Sequence, residues 1–171
     1  MLLVFGLVTL CSATVASVGA AQGDPYLYVK KQAAWMLAGL IVMVGMCSFD
    51  YNILGQYYRP IYAGTILVLM MVLVLGKNIA GTQGWFRFGP VGIQPAEFAK
   101  IGVIITLAKH LEKKDHLDQM VDLVSPFLHV GIPMLLILKQ PDFGTAMVFV
   151  GVLFGMLFMA GACPRHLGIV A

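Results

Sequence analysis

Residues 81–100 read GTQGWFRFGPVGIQPAEFAK, from Gly81 to Lys100, and they interrupt a chain made almost entirely of apolar runs. The stretch has two parts. The first is a loop punctuated by Gly and Pro that places Trp85, Phe86 and Phe88 around one cation, Arg87. The second, Gln94-Pro95-Ala96-Glu97, reads as a helix start. Pro suits the first helical position, where its missing N–H is not needed. A carboxylate in the first turn, here Glu97, meets the positive end of the helix dipole. Lys100 follows at i+3, so the two side chains share a face and can pair. Large aromatics beside an arginine suit a membrane–water interface. The flanking chain therefore reads as scaffolding that holds this corner at a membrane surface.

Composition agrees. The 171 residues are 60% hydrophobic and 11% charged, with a mean hydropathy of +0.89, which points to transmembrane helices. A net charge of +3 is small and says little about partners, and no basic cluster suggests nucleic acid. Cys11, Cys47 and Cys163 match no metal or redox spacing and read as small buried hydrophobes.

Working outward, spans are expected near residues 2–22, 33–49, 60–76, 95–109, 124–138 and 144–162, with a seventh beginning after Cys163-Pro164-Arg165-His166. The expected fold is all-α, a polytopic transmembrane bundle forming a single integral membrane domain over 1–171. A secretory signal peptide competes for residues 1–22, because Val18 to Ala21 offers small residues; the missing basic n-region and the length of the run favour a span. Residues 23–32 read as a polar turn and 50–59 as a short connector. The fourth span holds only eight uncharged residues between Lys100 and Lys109, too few to cross about 30 Å of hydrocarbon. Starting it at Pro95 makes its length adequate but puts Glu97 and Lys100 at or inside the membrane boundary, where ionisable residues are functional candidates. An ion pair that only anchors the helix is the competing reading.

Lys109 to Asp122 is a charged hinge, in which His110 and His116 lack clear metal-ligand spacing. His129 reads as a satisfied histidine within the bundle. Asp142 opens the apolar run after Gln140-Pro141 and has an ordinary role available as a helix cap. Alternating the loops puts the aromatic loop, the Glu97/Lys100 helix start and Asp142 on one side, and the 109–122 hinge, which we place in the cytoplasm, on the other. The positive-inside rule does not decide the orientation. Lys30, Lys31, Lys77, Arg87 and Lys139 on one side balance Arg59, Lys109, Lys113, Lys114 and Arg165 on the other. Carboxylates and cations at one membrane face fit an anionic, lipid-linked substrate, since cations hold phosphate and a carboxylate can take a hydroxyl proton.

Three blocks now stand in order: Gly81-x-x-x-Trp85-Phe86-x-Phe88-Gly89-Pro90, Gln94-Pro95-Ala96-Glu97-Phe98-Ala99-Lys100 and Gln140-Pro141-Asp142-Phe143-Gly144-Thr145. Together with Asp24-Pro25-Tyr26 and Lys31-Gln32, they resemble the SEDS family of shape, elongation, division and sporulation proteins, which includes RodA and FtsW. The resemblance implies a peptidoglycan glycosyltransferase of the bacterial inner membrane that polymerises lipid II, releases undecaprenyl pyrophosphate and works with a class B penicillin-binding protein. It leans towards the elongation branch. Glu97, Lys100 and Asp142 match family positions that line the outer cavity; Arg87, Trp85 and Gln94 are weaker candidates for substrate contact. No motif requires a cofactor, although a divalent cation remains compatible.

Family members often carry Arg just before the Trp, where this chain has Gly84, and Arg87 is the candidate to compensate. Ala96 stands in place of the usual Ser. The family's essential aspartate lies in a later outer loop, beyond Ala171, so the chain is expected to be the N-terminal portion of such a protein and inactive alone. Asp142 is not promoted to that role. A membrane scaffold or a translocator of lipid-linked substrate is the alternative reading.

Overall fold

The computed structural model describes residues 1–18, 26–48, 50–79, 82–88, 91–114 and 119–170. Asp24-Pro25, Gly81, Gly89-Pro90 and His116, used in the sequence reading, lie outside them. The chain divides into two compact units, Met1–Asp50 and Tyr51–Ala171.

In the first unit, α1 (Leu2–Val18) packs on α2 (Leu27–Cys47). Residues 23–32 are therefore not all turn: helix begins at Leu27, so Lys30 and Lys31 fall within α2. Nothing after Pro25 breaks a helix, and long lysine stems can run along an apolar helix while the ammonium stays in water. No described residue of α2 is buried, and Trp35, Leu37, Ile41 and Val44 are exposed. Such an all-round apolar surface suits lipid.

The second unit holds α3 (Tyr51–Gln56), α4 (Tyr58–Leu75), α5 (Pro95–Glu112), α6 (Met120–Leu138), α7 (Phe143–Met159) and α8 (Pro164–Val170). The 50–59 connector thus contains a short helix of its own. Among the described residues, α2, α4 and α6 are long and apolar enough to cross a membrane, and α1 and α7 contain shorter apolar helices. The central element is α5. Its buried residues Ala96, Ala99, Gly102, Val103, Thr106, Leu107 and Leu111 recur at helical spacing. Most are small, which lets α4 approach closely, as is usual where lipid removes the hydrophobic drive for helix association. Gly102 lies directly against Thr65 of α4, with no room for a Cβ. Val130 and Ile137 of α6 and Phe149, Leu153 and Leu157 of α7 complete the core.

Between α4 and α5 the chain does not stay a loop. Lys77–Ile79 (β1), Thr82–Phe88 (β2) and Val91–Ile93 (β3) form an antiparallel sheet in the order β1-β2-β3. Phe86 pairs with Ile93 and Arg87 with Gly92. The aromatics responsible for the interfacial reading are also good strand formers. A non-helical segment at a membrane surface gains by pairing its own backbone groups.

Candidate functional site

The start of α5, the turn before α7 and strand β2 meet at one end of the second unit. Pro95 is the first residue of α5, as the sequence predicts, and Gln94 precedes it in extended conformation. The Gln94 Nε2 donates to Asp142 Oδ2 at 2.8 Å. Asp142 also caps α7: the Thr145 amide donates to Oδ1 at 3.0 Å and the Thr145 hydroxyl to Oδ2 at 2.8 Å. The cap reading of Asp142 is therefore correct, and the same carboxylate ties α7 to the entrance of α5. An ionised carboxylate offers about four lone-pair sites. Three donors engage Asp142, which leaves acceptor capacity for one more. Asp142 sits at the N-terminus of α7, the positive end of that helix dipole.

One turn into α5, Lys100 Nζ pairs with Glu97 Oε2 at 2.8 Å. The lysine side chain is 23% exposed and the glutamate 56%, so the pair borders solvent or headgroups rather than the core. An ammonium has three donors, and one such contact leaves Lys100 able to meet an anion. The Glu97 amide donates to the Gln94 carbonyl at 3.1 Å, so the backbone of the first turn links this pair to the Gln94–Asp142 pair.

Trp85 is half-buried on β2, with its ring over Gly92, where an added Cβ would come within 3.1 Å of the ring carbon Cε3. Arg87 is exposed. Strand alternation puts Trp85 and Arg87 on the same face of β2 and Gly84 on the other. Arg87 therefore does not occupy the position left by Gly84. Gly84 is buried, and a Cβ there would lie 3.1 Å from Gln140 Oε1 and 3.8 Å from Gln94 Nε2. Gln140 itself is 1% exposed and donates through Nε2 to the Leu69 carbonyl at 3.4 Å. Sequence reasoning did not single out Gln140. Its signal was available, as an amide next to Pro141-Asp142 that the turn has to bury.

A second polar cluster lies at the opposite end of α4, α5 and α6. His129 Nε2 is 2.9 Å from the Thr106 hydroxyl and His110 Nε2 is 2.7 Å from the Ser125 hydroxyl. Each helix thus offers a hydroxyl and, four residues later, a histidine, and the antiparallel partner answers in reverse. The two imidazoles stack 5.3 Å apart, and Tyr62 stacks on His129 at 4.1 Å. His129 is a satisfied histidine within the bundle. Among the described residues, no three His, Cys, Asp or Glu side chains gather as a metal site.

These features define a predominantly helical, polytopic membrane protein with a carboxylate-and-ammonium corner at one end of its helices. The chain belongs to the family described as cell cycle protein, FtsW/RodA/SpoVE, which it matches over residues 1–171. It is 33% identical to the probable peptidoglycan glycosyltransferase FtsW of Allochromatium vinosum, over 94% of this chain and 41% of that protein. It is 34% identical to the peptidoglycan glycosyltransferase RodA of Treponema pallidum, over 91% of this chain and 35% of that protein. The crystal structure of Thermus thermophilus rod shape determining protein RodA superposes with a TM-score of 0.75 at 34% identity, covering 96% of this chain and 56% of that one. A chain from a peptidoglycan synthase complex that coordinates polymerisation and crosslinking gives a TM-score of 0.77 at 33% identity, covering 96% of this chain and 50% of that one. The chain spans about two-fifths of the length of the curated relatives it matches.

Proposed function

We propose that the protein to which this chain belongs is a peptidoglycan glycosyltransferase that polymerises lipid II. The observation that carries this reading is the corner itself. Two neighbouring sequence blocks supply β2 and the Gln94–Lys100 segment, a third much later in the chain supplies the Asp142 turn, and these converge at one end of the helices. The names of the relatives point the same way.

In this reading the corner faces the outer side of the bacterial inner membrane, and the 109–122 hinge faces the cytoplasm. The acceptor sugar hydroxyl loses its proton to a carboxylate, its oxygen attacks the anomeric carbon of the donor sugar, and undecaprenyl pyrophosphate leaves. Lys100 would meet the pyrophosphate through the donors not engaged by Glu97, and Glu97 would fix the direction of that ammonium. Asp142, held by three donors, shapes the cavity. The proton acceptor is not assigned to it. A class B penicillin-binding protein would crosslink the product.

Glycan formation from purified lipid II by the full-length protein tests this. Glu97→Ala is expected to lower the rate at least tenfold, because Lys100 loses its anchor. Undiminished polymerisation would remove Glu97 from the site. Movement of lipid II across a bilayer with no polymer formed would favour the translocator reading.

A further inference from the structure

Tyr58, the first residue of α4, carries two cations on one oxygen. Arg59 Nε donates to its hydroxyl at 2.9 Å, and Lys113 Nζ, from the end of α5, donates at 2.8 Å. The ammonium also lies 4.2 Å from the centre of the Tyr58 ring, and the guanidinium 5.7 Å from it. Two donors occupy the phenol oxygen as an acceptor and turn its own O–H outward as a donor. Arg59 and Lys113 are exposed, and among the described residues no carboxylate pairs with either. Glu112, the neighbouring acid, gives both of its oxygens to Lys109, at 2.9 and 3.0 Å. Like charges this close repel each other, and the group that relieves them is an anion that accepts hydrogen bonds.

The same two elements also enclose an apolar groove. A cavity of about 310 Å³ lies between α3 and α5, lined by Leu54, Gly55, Ile104, Ile105 and Ala108, with Lys109 among its charged residues. Lys113 stands one turn beyond Lys109, on the same face of α5. Tyr57 alone separates α3 from Tyr58. We propose that this end of the second unit holds one anionic phospholipid. Its headgroup phosphate accepts from the Tyr58 O–H and from the N–H groups of Arg59 and Lys113 that Tyr58 does not engage, and an acyl chain lies in the groove between α3 and α5. Guanidinium and ammonium groups are both phosphate binders, and basic pockets bordered by transmembrane helices hold anionic headgroups. A zwitterionic headgroup brings its own ammonium towards the two cations and is disfavoured. The cluster lies at the end of α5 that carries the 109–122 hinge, away from Glu97, Lys100 and Asp142. The inference therefore goes beyond the polymerase reading and stands whether or not that corner makes glycan.

The test titrates the full-length protein in detergent, read by native mass spectrometry, with phosphatidylglycerol and with phosphatidylethanolamine of the same acyl chains. The wild type is expected to bind phosphatidylglycerol about fivefold more tightly, or better. Arg59→Gln and Lys113→Gln are each expected to weaken phosphatidylglycerol binding about fivefold, the share of one cation, and to leave phosphatidylethanolamine binding unchanged. Unchanged phosphatidylglycerol binding in both variants would show that the cations serve only the ends of their own helices. Equal loss of both lipids would show damage to the fold rather than to a headgroup site. Glycerol phosphate, which has the phosphate and no chains, is expected not to displace phosphatidylglycerol at equal concentration. Displacement would assign the cluster to a free phosphate and leave the groove without a role. Each of these three results overturns the proposal, as does a wild type with no preference between the two lipids.

Discussion

The Gln94–Asp142 hydrogen bond joins the start of α5 to the start of α7, and a double-mutant cycle measures what it contributes. Asp142 makes two kinds of contact. Its bonds to Thr145 cap α7, and losing a cap of this type costs about 1 kcal/mol. Its bond from Gln94 spans 48 residues of sequence at 2.8 Å. A hydrogen bond to a charged group is worth about 1.5–3 kcal/mol in soluble proteins, but inter-helical bonds in membrane proteins average nearer 0.6 and reach about 1.7. Asp142 is only half-buried, so about 1 kcal/mol is the reasonable expectation. Asp142→Ala should then cost about 2 kcal/mol, the cap plus the bond. Gln94→Ala should cost about 1, because Thr145 still satisfies the carboxylate. The double variant should cost about 2 rather than 3, a coupling of about 1 kcal/mol. Reversible unfolding of the full-length protein in mixed micelles reads all four corners of the cycle. Additivity to within about 0.3 kcal/mol would refute the claim that this bond ties the two helices together.

Other expectations follow from the same packing. Gly102→Leu should destabilise by about 1–3 kcal/mol through a clash with Thr65, and Thr65→Gly should recover part of the loss; recovery in thermal stability is the check. His129→Leu should cost about 1–2 kcal/mol, since it removes the partner of Thr106 and the ring that Tyr62 stacks on, while the Gln94–Asp142 corner at the far end stays intact. Loss of lipid II binding in that variant would contradict the separation of the two clusters. Arg87→Ala, exposed on the face of β2 opposite Gly84, should change lipid II affinity less than threefold, and a larger loss would return it to the binding site.

The start of α5 was legible because it rests on local chemistry: Pro95 at the first position, Glu97 in the first turn and Lys100 at i+3 need no knowledge of the rest of the fold. The capping role of Asp142 was legible for the same reason. The antiparallel sheet was not, because Gly and Pro punctuation reads equally as loop, and strand pairing depends on partners outside any short window. The start of α2 was placed too late because Lys30 and Lys31 interrupt the apolar run without interrupting the helix. Gln140 stands in the third block without a role of its own because its significance is geometric. Only the approach of Gly84 on β2 and the Leu69 carbonyl on α4 show which end of the amide is engaged. The separation of Arg87 from Gly84 is likewise a strand-face property, and it becomes visible once Arg87 pairs with Gly92.

The central claim is that the corner built by Glu97, Lys100 and Asp142 serves glycan polymerisation, and the most direct test is the length distribution of glycan strands made from purified lipid II by the full-length protein. The account predicts long strands from the wild type and, from Lys100→Ala, at least a tenfold loss of product with the fold retained. Strands of wild-type length and yield from Lys100→Ala would contradict it.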